Sequence, residues 1–108
     1  MENIYLHELA KTIRSKNAGT DRITFDIIFE KKRDYEHVRD SDVITKKSVA
    51  ELYNIEESRI TDFVLYDPAN AIKFTIDRIQ PSGSPGDSDV FGSQQYAPLL
   101  TVEVPKVS

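Results

Sequence analysis

The sequence predicts an α+β protein: a two-layer sandwich in which a four-stranded, mostly antiparallel sheet carries its helices on one face, close to the ferredoxin-like arrangement. Two observations lead to this class. Apolar and polar residues alternate in short segments, as is typical of strands, and other segments repeat apolar residues at helical spacing. No glycine-rich dinucleotide fingerprint follows any predicted strand, which argues against a Rossmann unit. We expect residues 1–108 to form a single domain.

Helical spacing marks the first segment and the middle of the chain. The segment from Tyr5 to Arg14 is predicted to form a short amphipathic helix that ends in the turn Ser15–Gly19. Between Asp34 and Tyr53 we expect two helices, and Thr45 is a good N-cap for the second. The predicted helices bury four apolar residues: Leu9, Ile13, Val49 and Leu52.

Four segments read as strands. They are Ile23–Phe29, Ile60–Tyr66, Ala71–Asp77 and Leu99–Val104. The second and third are joined by the turn Asp67-Pro68-Ala69-Asn70, in which proline suits the second turn position. The side chains expected on the core face of the sheet are Ile23, Phe25, Ile27, Phe74, Ile76, Leu100 and Val102.

Composition narrows the classes of function. The formal net charge of −4 makes nucleic acid and anionic membranes poor partners, because both require a basic surface. The chain has no cysteine, which excludes disulfides, thiolate metal sites and a cysteine nucleophile. It has no apolar run long enough to span a bilayer, and its polar N-terminus does not resemble a signal peptide. We therefore expect a cytoplasmic protein.

The segment Pro81–Pro98 is the most unusual part of the sequence. It contains three of the four glycines and three of the five prolines, between segments that read as strands. Loops of this length in compact domains are generally functional or disordered. Aromatic, amide and apolar side chains favour an ordered functional or interface loop over a mobile linker.

Two loops are candidates for a site. Ser15–Gly19 can bind a carboxylate or phosphate through main-chain N–H groups and the Lys16 cation, although a plain helix C-cap is the commoner role of such a turn. Ser82–Asp87 forms either an anion-binding concavity or a tight surface turn. Asp87 and Asp89 are suited to accept hydrogen bonds, to assist a base or to ligate a divalent cation.

The candidate catalytic residues are therefore Lys16, Asp87 and Asp89. The candidate ligand-binding or interface residues are Ser15, Asn17, Gly19, Ser82, Gly83, Ser84, Gly86, Gln94, Gln95 and Tyr96. We expect the segments Ser15–Gly19 and Ser82–Asp89 to lie close together at one end of the sheet. We assign no metal site, since His7 and His37 do not have metal-ligand spacing and are better explained as exposed residues on helices.

Five motifs in one order carry a family resemblance. They are Leu9–Gly19, Phe25–Phe29, Asp67–Ala69, Pro81–Asp87 and Gln94–Leu100. With them the chain closely resembles a family of small prokaryotic proteins with no assigned function. That family is similar to the small ferredoxin-like domain of acyclic terpene utilisation (AtuA-like) proteins.

The resemblance implies a two-component enzyme. A larger AtuA-like subunit would carry most of the active site, and this chain would dock on it as an accessory small subunit. The implied substrate is a branched or unsaturated carboxylic acid or its coenzyme A thioester, and the implied reaction is a hydration or dehydration. Two alternatives stay open: a self-sufficient homo-oligomeric lyase or hydratase, and a ligand-binding module without chemistry.

Overall fold

The structure, a computed structural model, describes residues 3–17, 22–77 and 96–106. Within these ranges the fold is α+β, as predicted. A four-stranded antiparallel sheet has the order β2-β3-β5-β4, and β1 and β6 form a separate two-stranded sheet. The elements are β1 (Asn3–Tyr5), α1 (Leu6–Leu9), β2 (Thr12–Asn17), β3 (Arg22–Ile28), α2 (Lys32–Ser41), α3 (Lys46–Tyr53), β4 (Ile60–Tyr66), β5 (Ala71–Asp77) and β6 (Glu103–Pro105).

The central pair of strands, β3 and β5, forms the middle of the core. Their alternating apolar residues face each other across the ladder, and Phe25 lies directly opposite Phe74. The two rings stack with centroids 4.8 Å apart and an interplanar angle of 15°. Both side chains are buried. The predicted strands Ile23–Phe29 and Ala71–Asp77 are therefore confirmed.

Helices α2 and α3 form the second layer. Tyr35 and Val38 of α2 are buried, and so is Val49 of α3. The ring of Tyr53 lies 5.5 Å from that of Phe25, which places α3 on the core face of the sheet. Burial of these apolar side chains, more than local helix propensity, holds such short helices in place.

The predicted start of the second helix is confirmed. Thr45 is the N-cap of α3, and its hydroxyl accepts a hydrogen bond from the Ser48 backbone N–H at 3.0 Å. In return, the Ser48 hydroxyl oxygen accepts from the Thr45 backbone N–H at 2.8 Å. This reciprocal capping satisfies two donors at the helix start that would otherwise have no partner.

The predicted turn between β4 and β5 is also confirmed. Asp67–Ala69 forms a 3₁₀ turn, and Asn70 closes it in the left-handed region at φ 51°. Asparagine tolerates this conformation better than most residues. The turn starts the antiparallel register of β4 and β5 by placing Tyr66 opposite Ala71.

The predicted helix from Tyr5 to Arg14 is wrong beyond Leu9. Only Leu6–Leu9 is helical, and Thr12–Asn17 forms β2, which pairs with β3. Apolar residues three and four positions apart fit a helix, yet Ile13 also fits a strand in which it lies opposite Ile27. Pairing with β3 favours the strand over the helix, because the added strand extends the buried face of the sheet.

The predicted last strand is wrong as well. The fourth strand of the sheet is β2, and Ala97–Thr101 forms a 3₁₀ turn before β6 pairs with β1. Leu99 and Val104 are fully buried, whereas Leu100 is 41% exposed and Val102 is half-buried. Pro98 at the start of the turn fixes a helical φ and has no N–H to donate to a ladder, which favours the turn over a strand.

Truncation of the central aromatic stack tests the core directly. Phe25→Ala should lower the free energy of unfolding by about 3–5 kcal/mol, because it opens a cavity between β5 and α3. Urea denaturation monitored by circular dichroism measures the change. Leu100→Ala at an exposed position is the control and should stay within about 0.5 kcal/mol. A loss below about 1 kcal/mol for Phe25→Ala would contradict the register of β3.

Candidate functional site

Within the part of the chain that the structure describes, helices cover one face of the four-stranded sheet and leave the other face open. Residues opposite each other in an antiparallel ladder point to the same side of the sheet. The side that does not carry Phe25 and Phe74 holds mainly polar side chains, and most of them are exposed or half-buried. We call this the open face; its members include Arg14, Lys16, Thr24, Asp26, Asp62, Val64, Tyr66, Lys73 and Thr75.

A buried carboxylate lies at the centre of the open face. The register aligns Arg14 of β2, Asp26 of β3 and Lys73 of β5 in one row across three strands. Arg14 Nε lies 3.0 Å from Asp26 Oδ2, and Lys73 Nζ lies 3.8 Å from Asp26 Oδ1. The Asp26 side chain is 7% exposed, while those of Arg14 and Lys73 are 61% and 49% exposed. A buried anion thus lies between two accessible cations.

One oxygen of this carboxylate lacks a hydrogen bond. Asp26 Oδ1 is buried and has no hydrogen-bond partner in the described part of the chain. The Lys73 ammonium is within ion-pair range but too far away for a good hydrogen bond. An unsatisfied buried acceptor costs about 1–3 kcal/mol. A ligand or partner group that donates to Oδ1 would remove this penalty.

A groove of about 390 Å³ lies beside this row on the open face. The hydroxyls of Thr24 and Thr75 lie 3.3 Å apart within it, on neighbouring strands. Its lining combines two hydroxyls, an ammonium, a carboxylate and two large apolar side chains: Thr24, Thr75, Lys73, Asp62, Val64 and Tyr66. Such a mixture suits a small molecule that has both a polar head and an apolar body.

The first three residues of the predicted anion-binding turn lie in a strand, and the helix expected to precede them is absent from residues 10–17. Ser15, Lys16 and Asn17 lie in β2, so no helix precedes them directly. Lys16 lies opposite Thr24 on the open face, which places this cation on the same side of the sheet as Asp26. Ser15 faces the core opposite Phe25, and its buried hydroxyl has no hydrogen-bond partner within the described residues.

Most of the other predicted site residues lie outside the ranges that the structure describes. Tyr96 precedes the 3₁₀ turn of the C-terminal segment and packs half-buried against the core. The rest lie outside the described residues: Gly19, Ser82, Gly83, Ser84, Gly86, Asp87, Asp89, Gln94 and Gln95.

The sheet register nevertheless fixes where β2 and β5 end, ahead of the remaining residues of the two predicted loops. Asn17 lies opposite Ile23, and Arg22 lies opposite Asp77. The chain therefore leaves β2 and β5 at the same end of the sheet. Arg22 Nε is 3.1 Å from Asp77 Oδ1, and Arg59 Nε donates to the Asp77 carbonyl at 2.8 Å. That the two loops themselves lie close together stays a prediction.

A second polar cluster joins α2 to the β4–β5 turn. The Tyr35 hydroxyl donates to the Asp67 carboxylate, and Arg39 Nη1 lies 3.4 Å from Asp67 Oδ1. Burial, together with the hydrogen bond to Asp67, raises the pKa of Tyr35 to about 12. The Tyr35 hydrogen bond and then the Arg39 charge lower the pKa of Asp67. The cluster positions the helix against the turn.

The two histidines lie in helices, as predicted. The His7 ring stacks on Tyr5 with centroids 5.5 Å apart, and His37 Nε2 contacts the Pro105 carbonyl. Across residues 3–17, 22–77 and 96–106, no group of three or more His, Cys, Asp or Glu residues could hold a metal ion. No helix in these ranges is long and apolar enough to cross a membrane.

Fold and open face together define a small α+β domain whose exposed sheet face carries a buried carboxylate and several cations. The chain belongs to the DUF4387 family, a domain of unknown function, whose model matches residues 6–103. The match therefore runs from the start of α1 into β6. No curated protein and no solved structure matches the chain.

Sequence reasoning missed the central row of the open face. Alternation placed Asp26 on the polar side of its strand, where a carboxylate is expected to be exposed. Its burial depends on Arg14, which the sequence assigned to a helix, and on the register with Lys73. A charged residue within an otherwise strongly apolar strand was the available signal.

Removal of the buried charge should destabilise the fold more than removal of an exposed one. Asp26→Asn should lower the free energy of unfolding by about 1–3 kcal/mol, because it removes the buried carboxylate that accepts the hydrogen bond from Arg14 and attracts Lys73. Asp77→Asn is the matched control, since its pair with Arg22 is exposed and worth at most about 1 kcal/mol. Equal losses in urea denaturation would contradict a special role for Asp26.

The second cluster predicts a defined pH dependence. The folded-state pKa of Asp67 is lowered. The contribution of Asp67 to folding stability is therefore present when the pH is above the ordinary pKa of a carboxyl group, and it is lost as the pH falls through the folded-state pKa. The folded-state pKa of Tyr35 is raised to about 12. The contribution of Tyr35 to folding stability is therefore fully present below about pH 10 and is lost as the pH rises through about 12.

Tyr35→Phe tests this dependence. The stability difference between wild type and Tyr35→Phe should be largest from about pH 5 to pH 9 and should shrink on both sides of that window. Urea denaturation across the pH range measures it. A difference that does not change with pH would show that the phenol and the carboxylate do not interact.

Proposed function

We propose that this chain is an accessory small subunit of a two-component catabolic enzyme. A larger AtuA-like subunit supplies most of the active site, and the two proteins together hydrate or dehydrate a branched or unsaturated carboxylic acid or its coenzyme A thioester. The sequence resemblance supports the partner and the chemistry. The open face supports the role of this chain.

The observation that carries the proposal is the carboxylate at the centre of an otherwise accessible face. Asp26 is buried between Arg14 and Lys73, and its Oδ1 has no hydrogen bond within the described residues. No helix of the described chain covers this face, so a docked partner or ligand can reach the row. Buried polar groups are satisfied in most assembled proteins, and docking would complete this one.

Charge on the open face favours an anionic ligand. Although the chain is acidic overall, Arg14, Lys16 and Lys73 project from this side of the sheet. They outnumber its carboxylates Asp26 and Asp62, while Arg22 and Asp77 on the same side pair with each other. The three cations would attract the carboxylate of a substrate or the phosphates of coenzyme A. Lys16 is thus a ligand-binding or positioning cation on β2 in this proposal.

The groove supports a second candidate function. Its mixed lining of hydroxyl, charged and apolar groups would also suit a ligand-binding module without chemistry. A thermal-shift screen of the chain alone against short carboxylic acids and coenzyme A esters distinguishes the two, because a ligand bound only by the native state raises the melting temperature. The ligand-binding module is favoured if a ligand raises the melting temperature of the chain alone at concentrations that do not change the activity of an assembled enzyme.

Co-expression with the larger AtuA-like protein tests the leading proposal. The two proteins should co-elute in size-exclusion chromatography, and the mixture should turn over an unsaturated acid or its thioester faster than the larger protein does alone. If the proteins never co-elute and the larger one is fully active by itself, the proposal is wrong.

Point variants then locate the contribution of this chain. Lys16→Met and Asp87→Asn should each reduce complex formation or activity at least several-fold. Because Lys16 is exposed, Lys16→Met should leave the melting temperature within a few degrees of wild type. Lys47→Met, which makes the same change at an exposed position of α3, is the control and should behave like wild type. Full activity of both test variants would remove these residues from the site.

A further inference from the structure

The two edges of the main sheet differ in their protection against pairing with another strand. Among residues 3–17, 22–77 and 96–106, the sheet order places β2 and β4 at the edges. β2 carries Arg14 and Lys16, and charges of this kind discourage edge-to-edge association. β4 contains neither proline nor glycine, and its one charged residue is Asp62. Its large side chains are accessible, with 38% of Val64, 43% of Leu65 and 48% of Tyr66 exposed.

The regular part of β4 is short and has a defined centre. An irregularity in the register between Ile60 and Asp62 separates the start of the strand from the rest. From Asp62 to Tyr66 the ladder with β5 is regular. Val64 is the middle residue of this stretch, so antiparallel pairing of the whole stretch with an identical one places Val64 opposite itself.

We propose that β4 pairs with β4 of a second copy of this chain about a two-fold axis through Val64. The two four-stranded sheets then form one continuous eight-stranded antiparallel sheet. A two-fold axis of this kind is the commonest symmetry of homo-oligomers. The proposal concerns the chain by itself and does not rest on the function proposed above.

Side-chain chemistry agrees with this register on both faces. On the open face, Asp62 lies opposite Tyr66 of the second copy, so a phenol can donate to each carboxylate. On the core face, Phe63 lies opposite Leu65 of the second copy. Phe63 already stacks with Phe74 at 6.2 Å, so the apolar row of the core continues across the axis. Such cross-strand pairs are the main stabilising units of a sheet.

Neighbouring registers are less favourable. An axis through Asp62 brings two carboxylates directly opposite each other, and like charges in that position destabilise a sheet. An axis through Phe63 sets Leu65 opposite Thr61, at the irregularity where the ladder is disturbed. The register through Val64 avoids both problems.

The pairing also completes the groove on the open face. Asp62, Val64 and Tyr66 line the side of the groove that lies at the sheet edge. With a second copy in place, Tyr66 of that copy stands beside Asp62 and closes this side. Two grooves then meet at the axis, each lined by residues from both copies.

A single engineered thiol tests the register, because the chain has no cysteine. In the proposed pairing, V64C brings two cysteines opposite each other with Cα atoms about 4.5–5.5 Å apart, within the range for a disulfide. V64C should therefore form a covalent dimer under mild oxidation. L65C pairs with Phe63 instead, so its two Cα atoms are roughly 8 Å apart and should crosslink poorly. Leu100 is also exposed but lies outside β4, so L100C is a second control that should crosslink poorly.

Light scattering after size-exclusion chromatography provides the independent measurement. The wild type should have twice the 12.3 kDa mass of the chain, and V64K should be monomeric with unchanged circular dichroism. L100K, with the same change at another exposed apolar site, should remain dimeric.

Several outcomes would overturn the proposal. One is a wild type that stays monomeric at high concentration, and another is a dimer that survives V64K. A third is a V64C that crosslinks no better than L100C. If V64C forms a disulfide only with a cysteine introduced in a co-expressed larger subunit, strand addition by a different protein replaces pairing with a second copy.

Discussion

The pairing of β3 with β5, centred on the stack of Phe25 and Phe74, is the constraint on which the rest of the structure depends. It forms the core against α3 on one side of the sheet. Because alternate residues point to opposite sides, the same register places Asp26 opposite Lys73 on the other side. A slip by one residue would expose the core and bury the charges, so stability and the candidate site are set by one ladder.

The parts of the fold that could be predicted from the sequence are those set by local pattern. Strict alternation identified β3 and β5, and a side-chain hydroxyl at the right place identified Thr45 as a helix cap. The failures concern segments whose partner is distant in sequence. Thr12–Asn17 becomes a strand because β3 offers an edge, and Leu99–Val104 divides because Pro98 favours a turn and β1 is the partner of β6.

In the candidate site, too, the features set by distant strands could not be predicted from the sequence. Lys16 is exposed, but it lies in a strand on the open face and not in the predicted helix-ending turn, and its role in a site stays a prediction. Asp26 was missed, because its burial depends on side chains from two other strands. The open face and the β4 edge are adjacent, and Asp62, Val64 and Tyr66 belong to both. The proposed ligand groove and the proposed contact with a second copy therefore share these three residues.

Nuclear Overhauser effects between backbone protons test whether Arg14, Asp26 and Lys73 form one row across three strands. Residues directly opposite in an antiparallel ladder have Cα atoms about 4.5–5.5 Å apart. The register of the sheet predicts cross-strand effects that join Arg14 to Asp26 and Asp26 to Lys73, with strand-type sequential effects through Thr12–Asn17. Helix-type effects between residues three apart in that segment, or cross-strand effects shifted by one residue, would contradict it.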